Sequence, residues 1–359
     1  MTTTINVPYA IEGYLNNFLS NNRTDAVVLV VGDKKTPEKV ADFCDKLSGR
    51  SDVPVRYVSV KEQEQCLSRF PSLEDYVPYN SIQRRNLGML MAYEEKAEAI
   101  VTFDDDNLVT GGDYLKEHEV GRRVRLPIVQ ASTGWFNVCD YLDESAHQEF
   151  YHRGYPSGQR WKSTPTTISE KEVTVVVNAG LWRGDPDVDA ITRLHRPLNV
   201  TGLNRNAPSK FGLELGTWCP FDSQNTALAR ETIPAYFLSP DIGRYDDIWA
   251  GFVVRRIADH MGHYVSYGLP LVTQARNTHD LWRDLDAEKF GWQMTDTLVQ
   301  AIRETSLKEH TYSECALEII NQVEGRLGKF THDESSTPFF RFLDGYKRWI
   351  ESLSSISRN

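Results

Sequence analysis

Over the first third of the chain, apolar stretches alternate with amphipathic ones in a strand–helix rhythm. Thr4–Val7 predicts a short opening strand, stopped by Pro8. From Gly13 to Ser20 the apolar residues recur at helical spacing. Ala26–Val31 is an unbroken apolar run, mostly β-branched, that ends at Gly32-Asp33. Runs of this kind form strands buried on both faces. Pro37–Leu47 predicts an amphipathic helix with Pro37 in its first turn. Val53–Val58 predicts a strand, Ser81–Ala97 a helix and Ala99–Phe103 another strand. This alternation predicts an α/β fold with a mostly parallel central sheet.

The pattern changes after residue 110. The stretch 127–245 is rich in Gly, Pro, Asn and Trp and carries short strands such as Val173–Val177. Asp247–Met261 then predicts a strong helix and Tyr264–Val272 a strand. From residue 286 the pattern is helical, over Thr297–Ile302, Cys315–Leu327 and Phe339–Leu353. The expected organisation is one domain over 1–285, with a strand–helix half (1–110) and a loop-rich substrate half (111–285). A helical appendage over 286–359 follows. There are no internal repeats and no low-complexity tracts.

Composition narrows the function. The 359 residues carry a net charge of −10 and are 40% hydrophobic, an ordinary globular balance. Acidity argues against general nucleic-acid or anionic-membrane binding. No apolar run approaches the ~20 residues that span a bilayer, and Met1–Tyr9 lacks the pattern of a secretory signal. Five scattered cysteines form no CxxC pair, so neither a zinc cluster nor a disulfide framework is expected. A reducing cytoplasm is the expected setting.

The chemistry concentrates in four motifs. Thr102-Phe103-Asp104-Asp105-Asp106-Asn107 places three acids at the end of an apolar strand, the edge where α/β sheets bind ligands. Asp104 and Asp106, two apart in an extended segment, would face one side and can grip a hard divalent cation that holds a diphosphate. Ile242-Gly243-Arg244-Tyr245-Asp246-Asp247-Ile248-Trp249 opens a helix with paired acids. The helix dipole favours carboxylates there, so capping alone is one explanation; contact with a sugar hydroxyl or a water is the other. Arg153-Gly154-Tyr155-Pro156-Ser157-Gly158-Gln159-Arg160 is a loop with two arginines, suited either to the surface or to phosphate. Asn178-Ala179-Gly180-Leu181-Trp182 offers an indole for the core or for sugar stacking. No GxGxxG, P-loop or GxSxG motif is present. His260 and His263, at the end of the Asp247 helix, read as surface histidines.

Taken together, TFDDDN, RGYPSGQR, the GLW followed by Asp185-Pro186-Asp187-Val188-Asp189-Ala190, and IGRYDDIWAG with Gly268-Leu269-Pro270 resemble the reversibly glycosylated polypeptides, or UDP-arabinopyranose mutases. The resemblance covers about residues 5 to 295 and leaves the C-terminal helices without a counterpart. It implies a GT-A type nucleotide-sugar fold and a divalent metal, manganese or else magnesium, at Asp104, Asp105 and Asp106. It places Arg160 on the arginine that becomes glycosylated and Arg85 on another family arginine. Two departures stand out. Asp222-Ser223 occupies the position of a cysteine-glycine pair, and Gln274 that of a histidine, with His279 five residues on as a substitute ligand.

The expected roles are therefore these. Asp104, Asp106 and His279 bind metal. Arg160, Asp246 and Asp247 carry the catalysis. Pro8, Asp33, Arg85, Asp105, Arg153, Trp182, Asn225 and Arg244 contact nucleotide or sugar. The expected reaction interconverts the pyranose and furanose forms of a nucleotide-activated sugar, with self-glycosylation at Arg160 in view and a homo-oligomer compatible with it. A glycosyltransferase passing the sugar to an external acceptor is the alternative, using the same metal site.

Overall fold

The structure is a computed structural model that describes residues 1–276, 280–328 and 337–357. Its first part follows the predicted rhythm. The elements are β1 (Thr2–Thr3), α1 (Ala10–Ser20), β2 (Val28–Val31), α2 (Lys39–Ser48), β3 (Val55–Val58), α3 (Val60–Leu67), α4 (Arg85–Glu94) and β4 (Ala99–Phe103). β2 is buried along its whole length, as its unbroken apolar run requires. α3 begins with a capping box, in which the Ser59 side chain accepts from the Glu62 N–H and Glu62 reaches back to Ser59. The opening strand lies at Thr2–Thr3, ahead of the predicted Thr4–Val7.

Strands β1, β2 and β3 pair in parallel, in that order. β4 does not join them. It forms the edge of a nine-stranded sheet with β5 (Asn107–Val109), β6 (Arg122–Ala131), β7 (Leu142–Glu144), β8 (Thr166–Gly184), β9 (Val200–Leu203), β10 (Lys210–Leu213), β11 (Asn225–Ala229) and β12 (Tyr264–Gln274). Met1 links the sheets: its amino group donates to the Val101 carbonyl, and its own carbonyl accepts from the Phe103 N–H. The larger sheet is mixed, and most of its ladders are antiparallel, including β4–β11, β11–β8, β6–β8 and β10–β12. The expectation of a mostly parallel central sheet is thus corrected to a parallel three-stranded part joined to a mainly antiparallel one. The physical reason is that parallel neighbours need long crossover connections, usually α-helices, and between β6 and β12 the chain forms just two α-helices, the short α6 (Ala190–His195) and α7 (Asp246–Met261). β8, β6, β10 and β12 pair in a closed ring.

After the short α5 (Tyr114–Glu117), the remaining helices are α8 (Leu281–Arg303), α9 (Tyr312–Leu327) and α10 (Thr337–Ser357). They share one apolar core with the rest of the chain. Phe342 of α10 packs edge-on to Trp249 of α7, with ring centroids 5.1 Å apart. Tyr346 Oη donates to the Ala235 carbonyl at 2.6 Å, and Trp349 Nε1 to that of Ile233 at 3.0 Å. Among the described residues no helix is long and apolar enough to cross a membrane.

Candidate functional site

β4 ends at Phe103, and the three acids form the tight turn into β5, closed by the Asn107 N–H donating to the Asp104 carbonyl at 3.1 Å. They are not in extended backbone, yet all three line one cleft of about 480 Å³. Across it stands the N-terminus of α7 with Asp246 and Asp247. Between them lie Arg85, Arg153, Arg244 and Arg276. The pocket is thus walled by both charge signs, which suits an anionic ligand whose charge a cation shares.

A single network joins the two acidic motifs. Arg85 is fully buried at the start of α4. Its Nη2 lies 2.6 Å from Asp104 Oδ1, and its Nη1 donates to Ser223 Oγ at 2.6 Å and to the Ser223 carbonyl at 2.7 Å. Ser223 in turn donates to Asp247 Oδ2 from its N–H (2.9 Å) and its hydroxyl (3.1 Å). Asp247 also pairs with Arg153 at 3.2 Å. Arg153 grips Asp187 with Nε at 3.0 Å and Nη2 at 2.8 Å, and donates to the Arg244 carbonyl. The Arg244 side chain reaches Asp284 (3.4 Å) and Glu288 (3.1 Å) on α8, so α8 helps to build the site.

Neither acid of the pair caps α7. Its N-cap is Tyr245, without a side-chain capping bond. Asp246 instead accepts from Gln83 Nε2 at 2.7 Å. Burial first, and then neighbouring Asp247, push the Asp246 carboxyl up to about 7. Asp247 is bound to Ser223 and Arg153, and Asp246 is poised to exchange a proton near neutral pH.

The acidic turn has the donor chemistry of a divalent-cation site. Asp104 keeps a third of its side chain exposed. Partial enclosure raises its carboxyl, Arg85 opposes that rise, and Asp106 and Asp105 add to it. Asp105 is raised by burial and eased by the Thr4 hydroxyl, which donates to it at 2.5 Å. Carboxylates crowded in this way gain from a shared cation.

The other expected residues lie elsewhere. Arg160 does not line the cleft. Its guanidinium is 2.8 Å from Asp189 Oδ2 and sits over the rings of Trp292 (4.5 Å) and Tyr151 (5.2 Å), with a side chain only 10% exposed. Trp182 is 1% exposed, with the His152 ring centroid 5.1 Å away, so the stacking role is corrected to a core role. Asn225 is buried at the start of β11, accepting from Tyr114 Oη and donating to the Pro270 carbonyl, both at 2.9 Å. Asp33 accepts from the Ser81 N–H at 3.1 Å and so anchors the segment that carries Gln83 and Arg85. Pro8 is buried two residues ahead of α1, its carbonyl accepting from the Ile11 N–H. His279 lies outside the described residues. His260 and His263 contact α9 and its leading turn, through the Glu309 carbonyl (3.0 Å) and Tyr312 Oη (3.2 Å). The five cysteines are buried and unpaired.

Sequence reasoning missed Gln83, Asp187, Ser223, Gln224, Gln274 and Arg276 as cleft residues. Asp187 stood inside a quoted motif, and Ser223 and Gln274 stood at departures from the family pattern, which was the available signal.

A family model described as reversibly glycosylated polypeptide matches residues 57–358. The match runs through the C-terminal helices, past the limit near residue 295 expected from the motifs. The chain is similar to UDP-arabinopyranose mutase 3 of Arabidopsis thaliana, 29% identical over 272 residues, which is 73% of this chain and 69% of that protein. It is 28% identical to probable UDP-arabinopyranose mutase 1 of Pisum sativum over 273 residues, 74% and 70% of the two chains. Against probable UDP-arabinopyranose mutase 1 of Solanum tuberosum it is 27% identical over 272 residues, 73% and 69%. With its four motifs in order and most of its length matched, this chain belongs to the reversibly glycosylated polypeptide family.

Proposed function

We propose that the protein is a mutase that interconverts the pyranose and furanose forms of a UDP-activated sugar, on a GT-A type fold and in the cytoplasm. The carrying observation is the continuous network from Asp104 through Arg85, Ser223 and Asp247 to Arg153 and Asp187. It ties the acidic turn to the Asp246–Asp247 pair across one cleft. The names of the similar plant proteins support the choice of reaction and of UDP-arabinose as first substrate to test.

Asp104 and Asp106 would hold a divalent cation, manganese or magnesium, which supplies charge neutralisation to the diphosphate. Arg85, Arg153, Arg244 and Arg276 set the positive field around it. In the reaction, the bond between the anomeric carbon and the diphosphate breaks, the sugar ring opens and recloses through a different hydroxyl, and the same bond re-forms. The closing hydroxyl loses one proton and the opening ring oxygen gains one. Asp246, poised near 7, is the group suited to both transfers. Asp247 fixes Arg153 and Ser223, and thereby the floor on which the sugar lies. Arg160, engaged with Asp189 behind the wall, is a positioning residue in this reading, and a hydroxyl of the sugar itself captures the anomeric carbon.

The test incubates the full chain with manganese and UDP-arabinopyranose, without any acceptor, and separates the products by chromatography. The expected result is the furanose form of the same nucleotide-sugar. Conversion only when an acceptor is added would make the protein a glycosyltransferase instead.

A further inference from the structure

Beside Arg153, on the inner side of the cleft wall, three ligand-type side chains meet. One donor atom each of His152, Asp187 and Asp222 lies within 4.8 Å of the other two. His152 Nδ1 lies 2.8 Å from the Arg153 carbonyl. A carbonyl only accepts, so Nδ1 carries the ring proton and Nε2 keeps its lone pair. A backbone carbonyl holding the far nitrogen is the arrangement that orients metal-binding imidazoles. Nε2 faces Asp222 Oδ2 at 3.5 Å. The Asp222 side chain is only 3% exposed. Its Oδ1 accepts from the Gln224 N–H at 2.9 Å, but Oδ2 has no hydrogen-bond donor among the described residues. A buried, unmatched carboxylate oxygen is costly, and here it is aimed at two further lone-pair donors.

One of the three separations already matches a bound ion. Two ligands each about 2.1 Å from a tetrahedral zinc lie about 3.4 Å apart, close to the 3.5 Å between His152 Nε2 and Asp222 Oδ2. Asp187 is already held by Arg153, but each carboxylate oxygen has two lone pairs and can serve both. Asp187 also lines the cleft, which gives the ion an entrance from solvent.

We propose that His152, Asp187 and Asp222 form a binding site for a divalent transition metal, separate from the acidic turn at Asp104–Asp106. One imidazole and two carboxylates are a donor set that zinc, cobalt and manganese accept. The proposal does not rest on the sugar-nucleotide reading, because it concerns nucleotide-free protein.

The experiment strips the full chain with a chelator, omits nucleotide and titrates with cobalt as the probe, followed by its visible absorption and by bound-metal analysis. One equivalent binds, and zinc displaces it. Affinity falls about 100-fold or more in Asp222→Asn and His152→Gln, and is unchanged in the Asp104→Asn/Asp106→Asn double variant. Asp222→Cys supplies a positive signal that does not depend on a loss: a cobalt–sulfur charge-transfer band appears when residue 222 touches the ion. The proposal is overturned if the wild-type protein binds no cobalt without nucleotide. It is equally overturned if Asp222→Asn, folded by circular dichroism, binds cobalt as wild type does, if binding is lost with Asp104 and Asp106 instead, or if Asp222→Cys binds cobalt without the new band.

Discussion

Asp246 and Asp247 are neighbours, yet the same substitution should act on them in opposite ways. Asp246 is raised to about 7 by burial and by Asp247, above the roughly 3.9 of an unfolded aspartate. Between those values the folded chain holds the proton more tightly, so this residue makes stability fall as pH rises through the window from about 4 to about 7. Asp246→Asn mimics the neutral acid and still accepts from Gln83. The variant should match wild type in melting temperature below about pH 4, pull ahead of it as pH rises, and hold its full advantage above pH 7, while turnover drops about 10²-fold or more and loses its ionisation near 7. A rate profile unchanged by the substitution would remove Asp246 from the chemistry. Asp247→Asn turns one oxygen into a donor facing the donors of Ser223 or Arg153, a mismatch worth about 1–3 kcal/mol, so its melting temperature should fall at every pH. Arg160→Ala should also lower stability, by about 3–5 kcal/mol, because it strands the buried Asp189 charge. If Arg160 is instead the covalent acceptor, labelled sugar would be found on it by peptide mapping of the wild-type protein. At this scale the sequence made the charged residues visible, since three consecutive acids close an apolar strand and a pair of acids opens a helix. Neutral partners such as Gln83 and Ser223, and the pairing of His152 with Asp222, depend on positions far apart in the chain and leave no local spacing to read.

At the level of elements, the parallel start was legible because β2 and β3 carry their own apolar runs. β8 was not. Its residues from Thr166 to Glu172 are exposed and, Ile168 apart, polar, and only the tail near Val173–Val177 reads as a strand. The polar half is a strand because it pairs with β6 along Arg122–Ala131, with Arg123 near Glu172 at 3.7 Å and Arg125 near Glu170 at 3.6 Å. Exposed pairs like these contribute little; the backbone ladder decides, and that is a non-local event. The junction of α7 with α8 turns on Gly243. Its φ is +61°, and a Cβ there would stand 2.0 Å from the Ala287 carbonyl oxygen. Gly243→Ala should therefore cost at least about 2 kcal/mol from backbone strain alone. It should also shift α8, with Glu288, away from Arg244 and weaken nucleoside diphosphate binding measured by calorimetry. Native stability and affinity together would show that this joint does not shape the cleft.

For the whole molecule, the decisive matter is what the C-terminal helices do. The sequence marks the chain from residue 286 onward as helical but does not show what those helices pack against. In the structure the partner of α10 is the body of the chain: Phe342 lies against Trp249, one turn beyond Asp246 on α7, while Tyr346 and Trp349 satisfy the carbonyls of Ala235 and Ile233. Those carbonyls belong to the segment Arg230–Ala235, which follows β11 directly, so α10 props both the sheet edge beside the acidic turn and the helix that presents the acid pair. Trp349 is fully buried, and Trp349→Ala should cost about 3–5 kcal/mol. Removing residues 337–359 would bare Trp249, Phe237 and two carbonyls at once. The shortened chain should lose its cooperative thermal transition, followed by near-ultraviolet circular dichroism, and with it metal-dependent nucleotide binding. A truncated protein that melts sharply within a few degrees of the full chain, and binds nucleotide as well, would mean that α10 only decorates a body able to stand without it.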